Sequence, residues 1–448
     1  MTICELTAVE MARQLRARAL SARDVMTAHL DRIAERNPRL NAIVTLAADC
    51  AMDAARQADE SIARGAAIGP LHGLPVAHKD LLLTRGMRTT FGSPLLRDFV
   101  PDQDALIVER LRAAGAITVG KTNTPEFGAG SQTFNPIFGA TLNPYDETKT
   151  CGGSSGGAAV ALASGMLPIA DGTDMGGSLR NPASFCSVVG LRPSPGRVPA
   201  WPAADAWSTL SVDGPMGRTV ADVALMLRAI AGPDPRSPVS IAAPLAVPGA
   251  TLERDFRGVR VAWWSDLGGA PVDPRVRAVV NDQRRLFESL GCRVDEAEPD
   301  FTDFDAVFKT MRAVAFLTGV APRAAGRRSE VKDTIRWELE RGERLTAAEI
   351  AWALTKRTEL FHRMRQFMER YAFFVLPTTQ VPPFDVDQPY PIEIAGEPME
   401  TYIDWMKSCY FISLVSNPAI SVPCGFSADG LPIGLQIVGC HQDDWGVL

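Results

Sequence analysis

The chain has 448 residues, of which 46% are hydrophobic and 22% are charged, as in an average folded protein. This composition excludes wholesale disorder, and at roughly 100–200 residues per domain the length allows two to four domains or one large domain. The 46 basic residues against 52 acidic ones give a net charge of −6. That charge provides no electrostatic footprint for nucleic acid, so we expect no nucleic-acid partner.

The first 65 residues carry helical patterns. Thr7-x-x-Glu10 and Ser21-x-x-Asp24 are typical of helix N-termini, where a hydroxyl accepts from free backbone N–H groups and an acid suits the positive helix end. The amphipathic runs that predict helices span residues 8–18, 22–35 and 46–63.

From Pro70 onward, strand and helix patterns alternate, which predicts an α/β fold. Strands are predicted at residues 74–79, 117–119, 259–264, 292–294, 373–376, 419–422 and 433–438. Helices are predicted at residues 104–114, 274–290, 304–318, 328–342 and 347–370. The stretches 196–215 and 235–258 are rich in proline and are predicted to be irregular.

No apolar run approaches the ~18 residues of a transmembrane helix, and the N-terminus lacks the basic and apolar regions of a secretory signal. We therefore expect no membrane span and a cytoplasmic location. The eight cysteines are scattered without a C-x-x-C pair, which predicts reduced thiols. The five histidines have no paired spacing, so neither a His/Cys metal site nor a cofactor is predicted.

Residues 151–200 contain ten glycines and many serines and alanines. Glycine is disfavoured inside helices and strands, so this density indicates backbone that takes positive φ or approaches another group closely. A flexible linker would not need the apolar runs at 158–163 and 167–170. The segment is therefore a candidate functional loop region.

Two known serine motifs match formally. Gly152-x-Ser154-x-Gly156 fits the nucleophile elbow of α/β-hydrolases, for which only His362 and His441 follow as a base. An esterase of that type, acting through Ser154, stays an alternative. Ser329-x-x-Lys332 fits the S-x-x-K motif of penicillin-recognising enzymes, but the S-D-N and K-T-G motifs are absent.

A further interpretation uses more of the chain. The segments GLPVAHKD at 73–80, CGGSSGG at 151–157 and GTDMGGSLRNP at 172–182 closely resemble the amidase signature family of serine hydrolases. Similar matches occur at 120–126, 190–197, 416–423 and 430–436, so the resemblance covers nearly the whole chain. It implies the α/β amidase-signature fold, with a central mixed β-sheet covered by helices on both faces.

The resemblance also implies a Ser–cis-Ser–Lys triad. Ser178 would be the nucleophile, Ser154 the proton relay in a cis peptide, and Lys79 the base; the two serines are 24 positions apart, as in the family. A lysine base must be neutral, and burial can lower a lysine pKa from about 10.4 to near 7. The apolar run 74–77 before Lys79 agrees with burial. Ser155 is expected either to contact Lys79 or to cap a helix.

The turn before Ser178 would supply the oxyanion hole from the backbone N–H groups of Met175, Gly176, Gly177 and Ser178. Asp174 and Arg180 flank this turn and are interpreted as a structural ion pair that supports it. His78 stands where many family members have an apolar or small residue, and we interpret it as a bystander.

The chain is divided into an N-terminal helical region (1–65), the signature core (66–235), a variable substrate-pocket region (236–418) and C-terminal core strands (419–448). Family members usually continue with another helix, so the final helix is expected to be missing. The sequence does not indicate an oligomeric state.

The family relationship implies hydrolysis of C–N bonds through an acyl-enzyme, with a small amide or carbamate (urethane) and water as partners. Aromatic residues between the motifs predict a pocket for hydrophobic or aryl groups. These residues are Phe127, Phe134, Phe138, Trp201 and Trp207, followed by Phe316, Tyr402 and Trp405. The alternative within the family is the amidase subunit of a tRNA-dependent glutamine amidotransferase.

Overall fold

The computed structural model describes residues 2–245 and 251–448, so part of the predicted connection at 235–258 lies outside the described residues. The strands are β1 Ile43–Leu46, β2 Pro75–Lys79, β3 Ile117–Thr122, β4 Phe134–Asn135, β5 Gly139–Ala140, β6 Ile169–Asp174, β7 Val189–Arg192, β8 Val212–Gly217, β9 Arg260–Trp263, β10 Arg293–Glu296, β11 Phe373–Pro377, β12 Glu393–Ile394, β13 Glu397–Pro398, β14 Ala419–Phe426 and β15 Pro432–Gly439. The helices are α1 Ala8–Arg16, α2 Ala22–Leu40, α3 Ala48–Ala63, α4 Leu106–Ala113, α5 Gly156–Ala163, α6 Arg180–Phe185, α7 Val220–Ile230, α8 Pro274–Asp282, α9 Arg284–Ser289, α10 Phe304–Gly319, α11 Asp333–Arg344, α12 Ala347–Met368, α13 Lys407–Leu414 and α14 Asp444–Val447.

The largest sheet has eight strands in the order β10-β9-β11-β15-β14-β7-β8-β6. The pairs β10–β9 and β9–β11 are parallel, and the other neighbours are antiparallel. The predicted mixed central sheet of an α/β fold is therefore confirmed. Strand β11 (FFVLP) is buried along its whole length, as expected for a strand covered on both faces.

A smaller sheet in the order β1-β3-β2 was not predicted, because β1 has only four residues and directly precedes helix α3. Strand β2 (PVAHK) ends at Lys79 and is buried along its whole length. The Asp171 side chain on β6 accepts a hydrogen bond from the Lys79 backbone N–H at 2.8 Å. This contact places the end of β2 against the edge strand of the large sheet.

Two large apolar clusters form the core. The first packs helices α1 to α3 against β2, β3, α5 and β6, and the second packs α10, α12 and α13 against β9, β11 and β15. Burial of such surfaces contributes about 25 cal/mol per Å² of apolar area. The four-part division of the chain stays a proposal. The C-terminal strands β14 and β15 lie in the middle of the large sheet.

The predicted caps are present: the Thr7 side chain accepts from the Glu10 N–H at 3.1 Å, and the Ser21 side chain from the Asp24 N–H at 3.0 Å. The predicted helix 274–290 is divided at Gln283 into α8 and α9. All eight cysteines are free thiols, as predicted. Within residues 2–245 and 251–448, no helix is both long and apolar enough to cross a membrane.

One prediction about the irregular stretches was wrong. Strand β8 occupies the end of the stretch 196–215, where its glycines and proline hide the strand pattern and pairing with β6 and β7 determines the conformation. A short helix of four residues, α14, follows β15, and its Asp444 carboxylate accepts from Arg197 Nε at 2.9 Å. The expectation that a further family helix is missing stays a prediction.

Candidate active site

Lys79 lies at the centre of a group of hydroxyls. Its Nζ is 2.7 Å from Ser154 Oγ, 2.9 Å from Ser155 Oγ and 2.8 Å from Thr173 Oγ1. The lysine side chain is fully buried, and no oxygen among its three Nζ partners is a carboxylate. The predicted contact between Lys79 and Ser154 is therefore present.

Burial lowers the pKa of Lys79 to about 7, although the more distant carboxylates of Asp174, Asp213 and Asp171 act in the opposite direction. Removing an ammonium group from water disfavours its charged form, and neutral hydroxyls compensate less than a carboxylate partner would. At neutral pH a large fraction of Lys79 is consequently an uncharged amine that can accept a proton.

The loop before α5 contains Ser154 and Ser155. The Gly153–Ser154 peptide is cis, and its position is supported by Ser131, whose Oγ donates to the Gly153 carbonyl at 2.6 Å. Thr133 Oγ1 donates to the Gly152 carbonyl at 2.8 Å. Ser155 precedes α5 but makes no capping hydrogen bond with its side chain, so of its two predicted roles the structure favours the contact with Lys79.

The ion pair predicted beside the turn before Ser178 is present and involves a second arginine. Arg180 donates to both oxygens of Asp174 from Nε (3.0 Å) and Nη2 (2.9 Å), and Arg192 Nη1 lies 3.2 Å from the same carboxylate. Burial alone would raise the pKa of Asp174, but the two guanidinium groups hold it well below its usual range. This carboxylate is therefore ionised and is not a candidate proton acceptor.

The Asp174 carboxylate also orders the turn. It accepts from the backbone N–H of Gly177 at 2.9 Å and of Leu179 at 3.1 Å. Gly177 has φ +116°, and a Cβ there would lie 2.6 Å from the side chain of Cys409, so only glycine fits. The prediction that Gly177 contributes to the oxyanion hole needs correction, because its N–H is already donated to Asp174.

Ser178 opens on a small cavity of about 100 Å³ that Ser154 also lines. Ser178 is 9% exposed, enough for contact with a bound molecule. Among the described residues, the backbone N–H groups of Met175, Gly176 and Ser178 have no hydrogen-bond partner. The cavity is lined by Leu81, Phe127, Gly128, Gly130, Ser154, Thr173, Met175, Gly176, Ser178, Ser211, Arg312, Phe316 and Met406.

Two of the predicted pocket aromatics, Phe127 and Phe316, line this cavity. Phe138 does not, and its ring faces the Arg88 guanidinium at 5.3 Å. Trp201 packs against Arg236 at 4.6 Å, and Trp207 is 75% exposed. These three residues do not line this cavity, because aromatic composition does not fix the direction in which a loop side chain points, and their contact with substrate stays a prediction.

The remaining predicted aromatics lie behind the cavity wall. Phe134 contacts Lys332, whose Nζ is 5.6 Å from the ring centre, and does not line the cavity, so its place in a substrate pocket stays a prediction. Tyr402 donates its hydroxyl to Glu338, and Trp405 stacks on Phe185 in the core. Sequence reasoning missed the polar wall residues Thr173 and Arg312, although Thr173 lies within the motif that contains Ser178.

The α/β-hydrolase alternative is wrong. The rings of His362 and His441 pack against Phe361, with ring centres 5.4 and 5.2 Å away, and Ser154 contacts Lys79 instead. His78 is buried between Asp171, at 2.5 Å, and Thr118, at 2.9 Å, and does not line the catalytic cavity.

The S-x-x-K match is not a catalytic pair either, because Ser329 is exposed and Lys332 Nζ donates to the Ala129 carbonyl. In the part of the chain that the structure describes, no group of three His, Cys, Asp or Glu side chains could hold a metal ion.

Comparison with known proteins finds relatives over nearly the whole chain. An acylamidase from Rhodococcus erythropolis is 37% identical over 99% of this chain and 93% of its own length. A glutamyl-tRNA(Gln) amidotransferase subunit from Acidothermus cellulolyticus is 38% identical over 96% of this chain and 90% of its own. The crystal structure of a bacterial aryl acylamidase of the amidase signature family superposes with a TM-score of 0.93 at 29% identity, covering 99% of this chain and 94% of that one.

The structure of 6-aminohexanoate cyclic dimer hydrolase is similar over 100% of this chain and 96% of its own, with a TM-score of 0.89 and 26% identity. The sequence model of the amidase family matches residues 24–448. The chain therefore belongs to the amidase family of hydrolases.

Proposed function

We propose that the protein is a serine hydrolase that cleaves C–N bonds in small hydrophobic or aryl amides and in carbamates. The observation that carries this proposal is the buried Lys79 amine, held by the hydroxyls of Ser154, Ser155 and Thr173 beside the cavity that Ser178 enters. A serine hydroxyl is a weak nucleophile until a base removes its proton, and a neutral amine can act as that base.

In the proposed reaction, Ser178 Oγ attacks the substrate carbonyl carbon while its proton passes to Ser154 Oγ. Ser154 gives its own proton to Lys79 Nζ, which becomes an ammonium. The C–N bond then breaks as the proton returns along the same path to the leaving nitrogen, which departs as an amine. Water adds to the acyl-enzyme by the same route, releases the acid and restores Ser178.

The negative charge that develops on the carbonyl oxygen needs donors aimed at it. We assign this role to the backbone N–H groups of Met175, Gly176 and Ser178, which have no partner among the described residues. One such donor is typically worth about 10²–10³ in rate. Gly177 contributes by fixing the turn through Asp174.

The residues that line the cavity favour a substrate with a small apolar group. Leu81, Phe127, Phe316 and Met406 supply side chains without charge. A carbamate presents the same kind of carbonyl carbon to Ser178 as an amide, with an alkoxy oxygen on its other side. The cytoplasmic location and the lack of a nucleic-acid partner stay predictions.

The test is hydrolysis of chromogenic 4-nitroanilides and 4-nitrophenyl carbamates by the purified protein. Ser178→Ala is expected to abolish turnover without changing the thermal unfolding temperature, because the nucleophilic oxygen alone is lost. Mass spectrometry of the quenched wild-type reaction should find the acyl group on the peptide that contains Ser178. Retained turnover in Ser178→Ala, or its loss in the control variant His441→Ala, would refute the assignment.

A second candidate is the amidase subunit of a tRNA-dependent glutamine amidotransferase, which the relatives of that name favour. Such a subunit acts within a complex, whereas the main proposal needs neither ATP nor tRNA. Turnover of anilides by the isolated chain, with no stimulation by ATP and tRNA, supports the first candidate. Hydrolysis of glutamine restricted to a complex would support the second.

A further inference from the structure

One wall of the catalytic cavity carries a buried guanidinium. Arg312 belongs to helix α10, is 4% exposed and lines the cavity together with Ser178. Its Cζ lies 4.6 Å from the centre of the Phe316 ring, one helical turn further on. The ring and the hydrogen bonds to Glu338 and Tyr402 together hold the planar guanidinium in place, so its N–H groups have defined directions.

The hydrogen-bonding capacity of Arg312 is only partly used. Nε donates to Glu338 Oε1 at 2.6 Å and Nη2 donates to the Tyr402 hydroxyl at 2.7 Å. Nη1 has one contact, with the thioether sulfur of Met175 at 3.4 Å, and sulfur is a weak acceptor. Because Met175 also lines the cavity, the unsatisfied end of the guanidinium lies at the cavity wall.

The charge of Arg312 is already neutralised. Glu338 is fully buried, and its Oε1 accepts from both Arg312 and the Tyr402 hydroxyl, the latter at 2.7 Å. A second carboxylate brought here would therefore be in excess, whereas an uncharged oxygen would satisfy the free N–H.

We propose that Arg312 is a specificity-determining residue that binds a second, uncharged oxygen of the substrate, such as an ether, ester, amide or carbamate oxygen beyond the bond that is cleaved. The favoured substrates are then not simple hydrocarbon amides but molecules with a further acceptor in an otherwise apolar group. This inference rests on the proposed function of the same cavity.

The experiment uses matched substrates. A series of 4-nitroanilides with six-atom acyl chains replaces one methylene at a time by an ether oxygen or a carbonyl, with the hexanoyl anilide as reference. The adipic mono-anilide carries a carboxylate at the chain end. We expect at least one uncharged oxygen-bearing member to exceed the reference about tenfold in kcat/KM, because a site with a buried donor discriminates against a ligand that leaves it unpaired.

Arg312→Met/Glu338→Gln removes both charges, so no buried carboxylate is left without a partner. We expect this variant to lose the preference for the oxygen-bearing member, so that the ratio of kcat/KM between that member and the hexanoyl anilide falls to about one. Arg312→Lys keeps the charge but loses the planar fork, and should reduce the preference. The control is Arg323→Met, which changes an exposed arginine outside the cavity and should leave the preference unchanged.

Calorimetric binding of the same pairs to Ser178→Ala gives a readout that does not depend on turnover. A lower dissociation constant for the oxygen-bearing member than for the reference supports the inference if this difference disappears when Arg312→Met/Glu338→Gln is added. Equal binding and equal kcat/KM across the series, an unchanged preference in both Arg312 variants, or a preference for the carboxylate would overturn it. In each of those cases hydrolysis that depends on Ser178 leaves the proposed function intact.

Discussion

Two buried clusters of charged and polar groups lie on opposite faces of the same strand. Thr173 and Asp174 are neighbours on β6, and successive side chains on a strand point to opposite faces. Thr173 contacts Lys79 on one face, and Asp174 binds Arg180 and Arg192 on the other. Lys79, Asp174, Arg180 and Arg192 are all fully buried.

The difference between the clusters is in the partners. Lys79 has three hydroxyls as its Nζ partners and a pKa lowered to about 7, whereas Asp174 has two guanidinium groups and stays ionised. Equal burial therefore gives one site that can exchange a proton near neutrality and one that cannot. The first is suited to chemistry and the second to holding the turn in place.

The largest expected effect comes from removing the amine. Lys79→Met should lower kcat by at least about 10³-fold, since general-base catalysis of this kind contributes about 10²–10⁴ and Ser178 depends on it. The measurement is the steady-state rate on a 4-nitroanilide. The matched control is Lys121→Met, which removes a lysine that is buried on the neighbouring strand β3 and has its pKa lowered to about 8 by burial. An equal loss in the control would show that buried lysines matter only for folding.

Breaking the ion cluster should affect stability more than chemistry. Arg180→Met leaves the buried Asp174 with Arg192 as its remaining guanidinium partner, and loss of one partner of a buried pair typically costs about 3–5 kcal/mol. Urea unfolding should show this decrease in the free energy of unfolding. Arg13→Met, which removes an exposed ion pair with Glu10 on α1, should change it little. Similar stabilities of the two variants would contradict the bracing role.

A smaller effect is expected in the pH dependence of catalysis, which tests the cluster around Lys79. The kcat/KM of the wild type should fall below pH about 7, because protonated Lys79 cannot act as a base. Thr173 Oγ1 accepts a hydrogen bond from the ammonium and thereby favours the charged form. Thr173→Val should therefore lower the Lys79 pKa and shift this acid limb to lower pH by about half a unit to one unit. Thr173→Ser should restore the wild-type profile, and a shift to higher pH would contradict the argument.

The candidate catalytic residues Lys79, Ser154 and Ser178 could be predicted from the sequence. The motifs around Lys79, Ser154 and Ser178 predict a row of amine and hydroxyls, and the structure brings Lys79 and Ser154 to 2.7 Å and Ser178 into the same cavity. In the large sheet, strands β9, β10, β11, β14 and β15 were predicted from their apolar patterns, whereas β6 and β7 were not. Strand β8 could not be predicted this way, because its pairing partners rather than its own residues determine it.

The cavity wall was the least predictable part of the site. Aromatic composition pointed to Trp201 and Trp207, which do not line the cavity, and gave no sign of Arg312, whose partners Glu338 and Tyr402 are 26 and 90 residues distant in sequence. A charged residue in an apolar wall is recognisable only when its long-range partners are known. Spacing within the motifs contains no information of that kind.

The hydrogen bonds that Arg180 donates to the C-terminal part of the chain have a consequence for protein synthesis. Its Nη1 donates to the Cys409 carbonyl at 3.0 Å and to Gln436 Oε1 at 2.5 Å, and its Nη2 donates to Ser413 Oγ at 2.7 Å. A nascent chain that ends just before residue 436 would contain Lys79, Ser154 and Ser178 but would lack Gln436 and the second half of strand β15. We therefore expect hydrolytic activity to appear only after translation has passed strand β15.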